Sequence, residues 1–123
     1  MLYFDTCPPM DIESEYERGF QLRCEGNYGE AQAVFQRILA SNPNHVKSQL
    51  QFGLIQGFLG DFDASLATLA ALSSQVPGNL DVRYELAMTQ MMLGMFDEGC
   101  ANIRQILSVD PTHEKARQQA TYC

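Results

Sequence analysis

An all-α solenoid is the fold this sequence predicts, and three features of the chain predict it. The first is a period of 34 residues: Gly26, Gly60 and Gly94 are 34 apart, and so are Pro43, Pro77 and Pro111. The second is that Tyr28, Phe62 and Phe96 keep the same offset, as do the small residues Ala31, Ser65 and Gly99. The third is apolar spacing. Ala31, Val34, Phe35, Ile38 and Leu39 fall on one face of an amphipathic helix. A shared period of this length means one supersecondary unit stacked on copies of itself.

The elements follow in order. Residues 1–11 read as an irregular leader, because Pro8-Pro9 forbids a helix across them while Leu2, Tyr3 and Phe4 make a short apolar run. Asp11 is a natural N-cap, and Glu13, Glu15 and Glu17 favour the positive end of a helix over about 12–25. Gly26-Asn27 ends that helix, since glycine and asparagine tolerate the left-handed conformation that closes helices. A second helix is expected over about 28–41, and Asn42-Pro43-Asn44 stops it and caps the next. The plan recurs as helices over about 45–59 and 62–75 around Gly60-Asp61. It recurs again over about 80–93 and 96–109 around Gly94-Met95. Residues 113–122, HEKARQQATY, start as a fourth unit would and give one polar helix. End repeats of a solenoid lack one neighbour and need a polar outer face, which the Glu-rich first helix and this last helix supply. The expected organisation is therefore one domain over 12–123, with repeats at about 12–45, 46–79 and 80–113 and a capping helix.

Charge narrows the function classes. A formal net charge of −7 and a pI near 4.6, with eight scattered Lys and Arg, disfavour nucleic acid and anionic membrane surfaces. The N-terminal stretch has no basic residue before Arg18 and does not read as a secretory signal, and no run approaches a membrane span. Cys7, Cys24, Cys100 and Cys123 show no zinc spacing. Four free thiols in a reducing cytoplasm are the expectation. There is no phosphate-binding Gly loop and no nucleophile–base order, and His45 and His113 sit just after turn prolines, which makes them turn residues. No catalytic residue, cofactor or metal is expected.

The units resemble tetratricopeptide repeats, a family of 34-residue helix–turn–helix repeats. Gly19, Gly53 and Ala87 match the small residue midway along the family's first helix. The turn glycine, the aromatic two residues later, the small crossing residue and the closing proline complete the match over residues 12–113. Two departures stand out: Glu15, Gln49 and Arg83 replace the aromatic usual early in the first helix, and Arg18 replaces its mid-helix partner in the first unit. The resemblance implies a concave groove, lined by the first helices, that binds peptides without catalysis. Tyr16, Phe20 and Cys24 would form one stripe of its floor, Leu50, Leu54 and Phe58 the next, and Tyr84, Met88 and Met92 the third, with Met91 and Met95 at the edge. Each step of four residues drifts only about 40° round a helix, so each triple is narrow.

Within the family, some members clamp a C-terminal carboxylate with cations and amides on the groove. The matching positions here are Tyr16, Phe20, Gln51, Asp81 and Glu85, which would repel it. Instead Glu13, Glu17, Asp81 and Glu85 make an expected acidic rim, interrupted by Lys47, that suits a basic peptide or amphipathic helix of another protein. Small acidic chaperones of bacterial secretion are similar in size and repeat number. The alternative is self-assembly into a homodimer, either with the leader in the groove or through the charge-free stretch from Ala64 to Leu80, whose Ala64, Ala67, Ala70 and Ala71 allow close approach.

Overall fold

A computed structural model describes residues 11–123; the expected leader, with Leu2, Tyr3, Phe4 and Cys7, lies outside the described residues. The described chain is seven α-helices: α1 (Ile12–Cys24), α2 (Tyr28–Ser41), α3 (Val46–Phe58), α4 (Phe62–Gln75), α5 (Leu80–Met92), α6 (Phe96–Val109) and α7 (Glu114–Ala120). Each helix packs on the one before and the one after it in the chain, and α1 also touches α3. That is the contact pattern of a right-through stack of antiparallel helix pairs, with odd-numbered helices on one face and even-numbered helices on the other.

The period fixes both ends of the odd helices. Asp11, His45, Asn79 and His113, 34 residues apart, each accept a hydrogen bond from the backbone N–H three residues on and so satisfy an orphan donor. The cap of α3 is thus His45 and not Asn44. At the other end, Asn27, Asp61 and Met95 N–H groups reach back to Leu22, Gln56 and Gln90 carbonyls at 2.9, 2.9 and 2.8 Å. The N–H groups of Gly26, Gly60 and Gly94 bond Arg23, Gly57 and Met91 carbonyls. This paired closure needs a left-handed residue, and the three glycines have φ of 83°, 93° and 82°.

Small residues set the helix-pair distance. A Cβ on Gly19 would lie 2.8 Å from Phe35 Cζ, so α1 and α2 approach over a bare backbone. In the next pair Ser65 Oγ donates to the Gly53 carbonyl at 2.7 Å across the α3–α4 crossing. Apolar burial supplies the rest: Ala31, Val34, Phe35, Ile38 and Ile55 form one fully dry cluster, and Ala87, Ile103, Ile106 and Ala116 another.

The positions that depart from the repeat pattern anchor the turns. Gln49 Nε2 donates to the Pro43 carbonyl at 3.0 Å, and Arg83 Nη2 to the Pro77 carbonyl at 3.4 Å. Glu15, the first of the set, pairs with Arg18 of its own helix and Arg37 of α2. Gln49 and Arg83 thus replace aromatic packing with hydrogen bonds to the inter-pair turns, and Glu15 replaces it with ion pairs within the first helix pair.

One expectation changes. Cys100 and Cys123 form a disulfide, with Cα atoms 5.8 Å apart; Cys24 is free and exposed. Antiparallel docking of α7 on α6 returns the chain to the first turn of α6 after 23 residues, a proximity that spacing along the sequence does not show. The premise of unpaired thiols behind a reducing compartment therefore fails for this pair. Of the α4 alanines in the charge-free stretch, Ala67, Ala70 and Ala71 are exposed and Ala64 is half-buried. No described helix is long and apolar enough to cross a membrane.

Candidate functional site

The odd-numbered helices line a concave cleft of about 1100 Å³ that runs from α1 to α7. Seven of the nine expected floor residues border it: Tyr16 from α1, Leu50, Leu54 and Phe58 from α3, and Tyr84, Met88 and Met92 from α5. Met91 joins them, whereas Met95 does not. Phe20 and Cys24 also fall outside. Phe20 turns its ring toward Tyr16, 6.2 Å between centroids, and Cys24 faces solvent. The helical drift accumulates along α1, which among the described residues has an odd-numbered neighbour, α3, on one side only. Arg23 enters in their place, its guanidinium 4.9 Å from the Phe20 ring centroid and 5.7 Å from that of Phe58.

The floor is greasy and partly uncovered. Phe58, Met92 and Phe96 are 49%, 63% and 59% exposed, an amount of apolar surface that water disfavours. Phe62 and Phe96, the aromatics after the turn glycines, line this end of the cleft. At the other end Tyr16 meets the His45 ring and Tyr84 the His113 ring, each at 5.9 Å between centroids. Lys47 Nζ lies 5.9 Å over Tyr16, and Lys115 Nζ 5.7 Å over Tyr84. Burial raises both tyrosine pKa values, with the Gln51 side chain opposing the rise at Tyr16.

The charge pattern differs from an acidic rim. Asp81 and Glu85 border the cleft, but Glu13 and Glu17 stand on the exposed side of α1. Three cations, Arg23, Lys47 and Lys115, share the lining with the two acids. Burial pushes the Glu85 carboxyl above its ordinary pKa, with Lys115 and Arg23 opposing the rise and Asp81 adding to it. Two polar atoms in the wall, Arg23 Nε and Gln51 Oε1, are buried without a hydrogen-bond partner.

The contributions of α7 were the ones that sequence reading missed: His113, Lys115, Gln119 and Tyr122 all line the cleft. A signal for them existed. Lys115 continues the row Glu13, Lys47, Asp81; Gln119 continues Glu17, Gln51, Glu85; and Tyr122 continues Phe20, Leu54, Met88, each at the 34-residue step. Extending the register into the last helix would have found them.

No protein-family model and no curated protein sequence matches this chain. Solved structures do. PcrH, in complex with the chaperone binding region of PopB, superimposes with a TM-score of 0.77 at 19% identity, covering 95% of this chain and 97% of PcrH. The Yersinia enterocolitica type III secretion translocator chaperone SycD gives 0.77 at 15%, covering 90% and 85%. A MamA fragment from Desulfovibrio magneticus RS-1 gives 0.76 at 23%. The fold is a tetratricopeptide-type helical solenoid. Coverage of the MamA fragment is 91% of this chain but 63% of that one, so this chain spans under two thirds of its length. Similarity at these identities speaks for the fold alone.

Proposed function

We propose that this solenoid is a non-catalytic adaptor or chaperone-like module that holds an extended or helical segment of another protein in its concave cleft. One observation carries the reading: a continuous cleft of about 1100 Å³ whose apolar side chains are left half-exposed. That volume exceeds the usual range for small-ligand pockets, roughly 300–1,000 Å³, and the cleft is open along its length. Methionines at 88, 91 and 92 add to it, because flexible thioether side chains repack around different ligands. PcrH with its PopB region, and SycD, also seen with a peptide of the translocator YopD, offer structural precedent. Apolar burial at about 25 cal/mol per Å², less the cost of association, corresponds to affinities of about micromolar.

The test is Leu54→Glu combined with Met88→Glu. Both side chains border the cleft without being fully buried, so the variant should fold with an unchanged helical circular dichroism spectrum. It should lose binding to peptides selected against the wild-type chain; undiminished binding by the folded variant removes the cleft as the site. Sedimentation of the full chain and of one lacking residues 1–10 separates this reading from self-assembly. A dimer lost on truncation would assign the cleft to the leader of a neighbouring copy.

A further inference from the structure

Resting on the reading of the cleft as a segment-binding site, the geometry points to the charge pattern of that segment: we infer an extended stretch with acidic, basic and acidic residues at three-residue steps, separated by apolar ones. The row at the 34-residue period reads Lys47, Asp81, Lys115, one from each of α3, α5 and α7, and all three line the cleft. Their row-mate Glu13 lies outside it. The sign seen by a ligand crossing the helices is therefore plus, minus, plus.

The chemistry around each position agrees. Beside Lys115, the backbone N–H of Ala116 donates to His113 Nδ1 at 3.1 Å, which leaves the ring proton of the neutral imidazole on Nε2. The same cap from Ser48 does this for His45 beside Tyr16 and Lys47. The Lys115 station thus presents a lysine, an imidazole N–H and the Tyr84 hydroxyl to the cleft, and the Lys47 station a lysine and the Tyr16 hydroxyl with His45 outside the lining, donors that suit a carboxylate. Ion pairs among the described residues join Glu15 to Arg18 and Arg37, and no described carboxylate lies within bonding reach of Lys47 or Lys115. Between the stations, Asp81 and the half-buried Glu85 present two carboxylates that also lack an ion-pair partner and favour a cation.

Spacing sets the register. Packed helix axes lie about 10 Å apart, and an extended chain in the polyproline II conformation advances about 3.1 Å per residue with about three residues per turn, so one helix step matches three residues and every third side chain returns to the same face. The Gln51 amide lines the cleft one turn along α3 from Lys47, 8% exposed, with Oε1 unpartnered. That acceptor fits a backbone N–H of an extended segment, which a helical ligand would keep for itself.

Two synthetic, dye-labelled peptides of one length test this by fluorescence anisotropy: one carrying Glu-x-x-Lys-x-x-Glu and one carrying Lys-x-x-Glu-x-x-Lys, with the same leucine and valine residues elsewhere. The first is expected to bind the full chain about tenfold more tightly, although the net charge of −7 favours the second at long range. Lys47→Glu with Asp81→Lys and Lys115→Glu, all at exposed positions, should reverse the order. Equal affinities, a preference for the second peptide, or an order unchanged in the triple variant overturns the inference. If both peptides bind equally but fail on the Leu54→Glu, Met88→Glu variant, the cleft stands and the charge pattern alone falls. If neither binds the wild type, both readings fall.

Discussion

The two ends of the solenoid follow one repeat register and finish differently. At the α1 end the row members Glu13, Glu17, Phe20 and Cys24 leave the cleft, while at the α7 end their counterparts Lys115, Gln119 and Tyr122 line it. The α1 end is held by noncovalent contacts such as the Glu15 pairs with Arg18 and Arg37, whereas the α7 end is tied to α6 by Cys100–Cys123. A register decides which side chains share a row. Whether a row becomes a wall depends on how the end helix is oriented and held against its neighbour.

The largest expected effect breaks the α1 end. Phe35 is fully buried against Gly19 and the Tyr16 ring, 5.7 Å between centroids, so Phe35→Ala should cost about 3–5 kcal/mol in urea unfolding. Loss below about 1 kcal/mol would mean that α1 and α2 contribute little to the cooperative unit. Next comes the α7 end. Cys100→Ser opens a loop of 23 residues' separation and should cost about 3 kcal/mol by the loop-closure relation. Hydrogen exchange should then speed up in α7 and stay unchanged in α2; equal change in both would erase the contrast between the ends.

A smaller effect tests the shared caps. Asn79→Ala removes the side-chain acceptor for Val82 N–H, 3.1 Å away, and should cost about 1 kcal/mol. His113→Ala removes the matching acceptor for Ala116 N–H, but with the disulfide intact its cost should be smaller, because α7 stays tethered. The smallest effect concerns Glu85. Its pKa is raised by burial, so the folded chain holds that proton more tightly than the unfolded one. The stability it contributes is present at low pH and is lost as pH rises through the carboxylate range. Glu85→Gln should raise the melting temperature slightly at pH 7 and leave it nearly unchanged near pH 4. A variant that melts lower at pH 7 would show that Lys115 and Arg23 outweigh the burial.

Much of this was legible in the chain. Helix ends agree with the 34-residue pattern to within a residue or two, because glycine, proline and capping residues act through local backbone geometry that needs no partner. The stripes on α3 and α5 were legible for a related reason: each has helices on both sides, so the repeat places them. Arg23 was not, since its place in the cleft goes with rings on two different helices, Phe20 of α1 and Phe58 of α3, that both lie near its guanidinium. Nor was the sign of the lining. Glu13 and Glu17 look equivalent to Asp81 and Glu85 along the chain, but among the described residues only the latter pair stands on a helix with odd-numbered helices on both sides.

By itself, the sequence determined the helix count of the repeating units, their boundaries, and the side chains that share each row, all consequences of local conformational preference and a fixed period. Tertiary structure alone decided two things: the pairing of Cys100 with Cys123 and the mixed charge of the cleft wall. Each depends on how one helix lies across another, a distance and an angle that no single stretch of chain encodes.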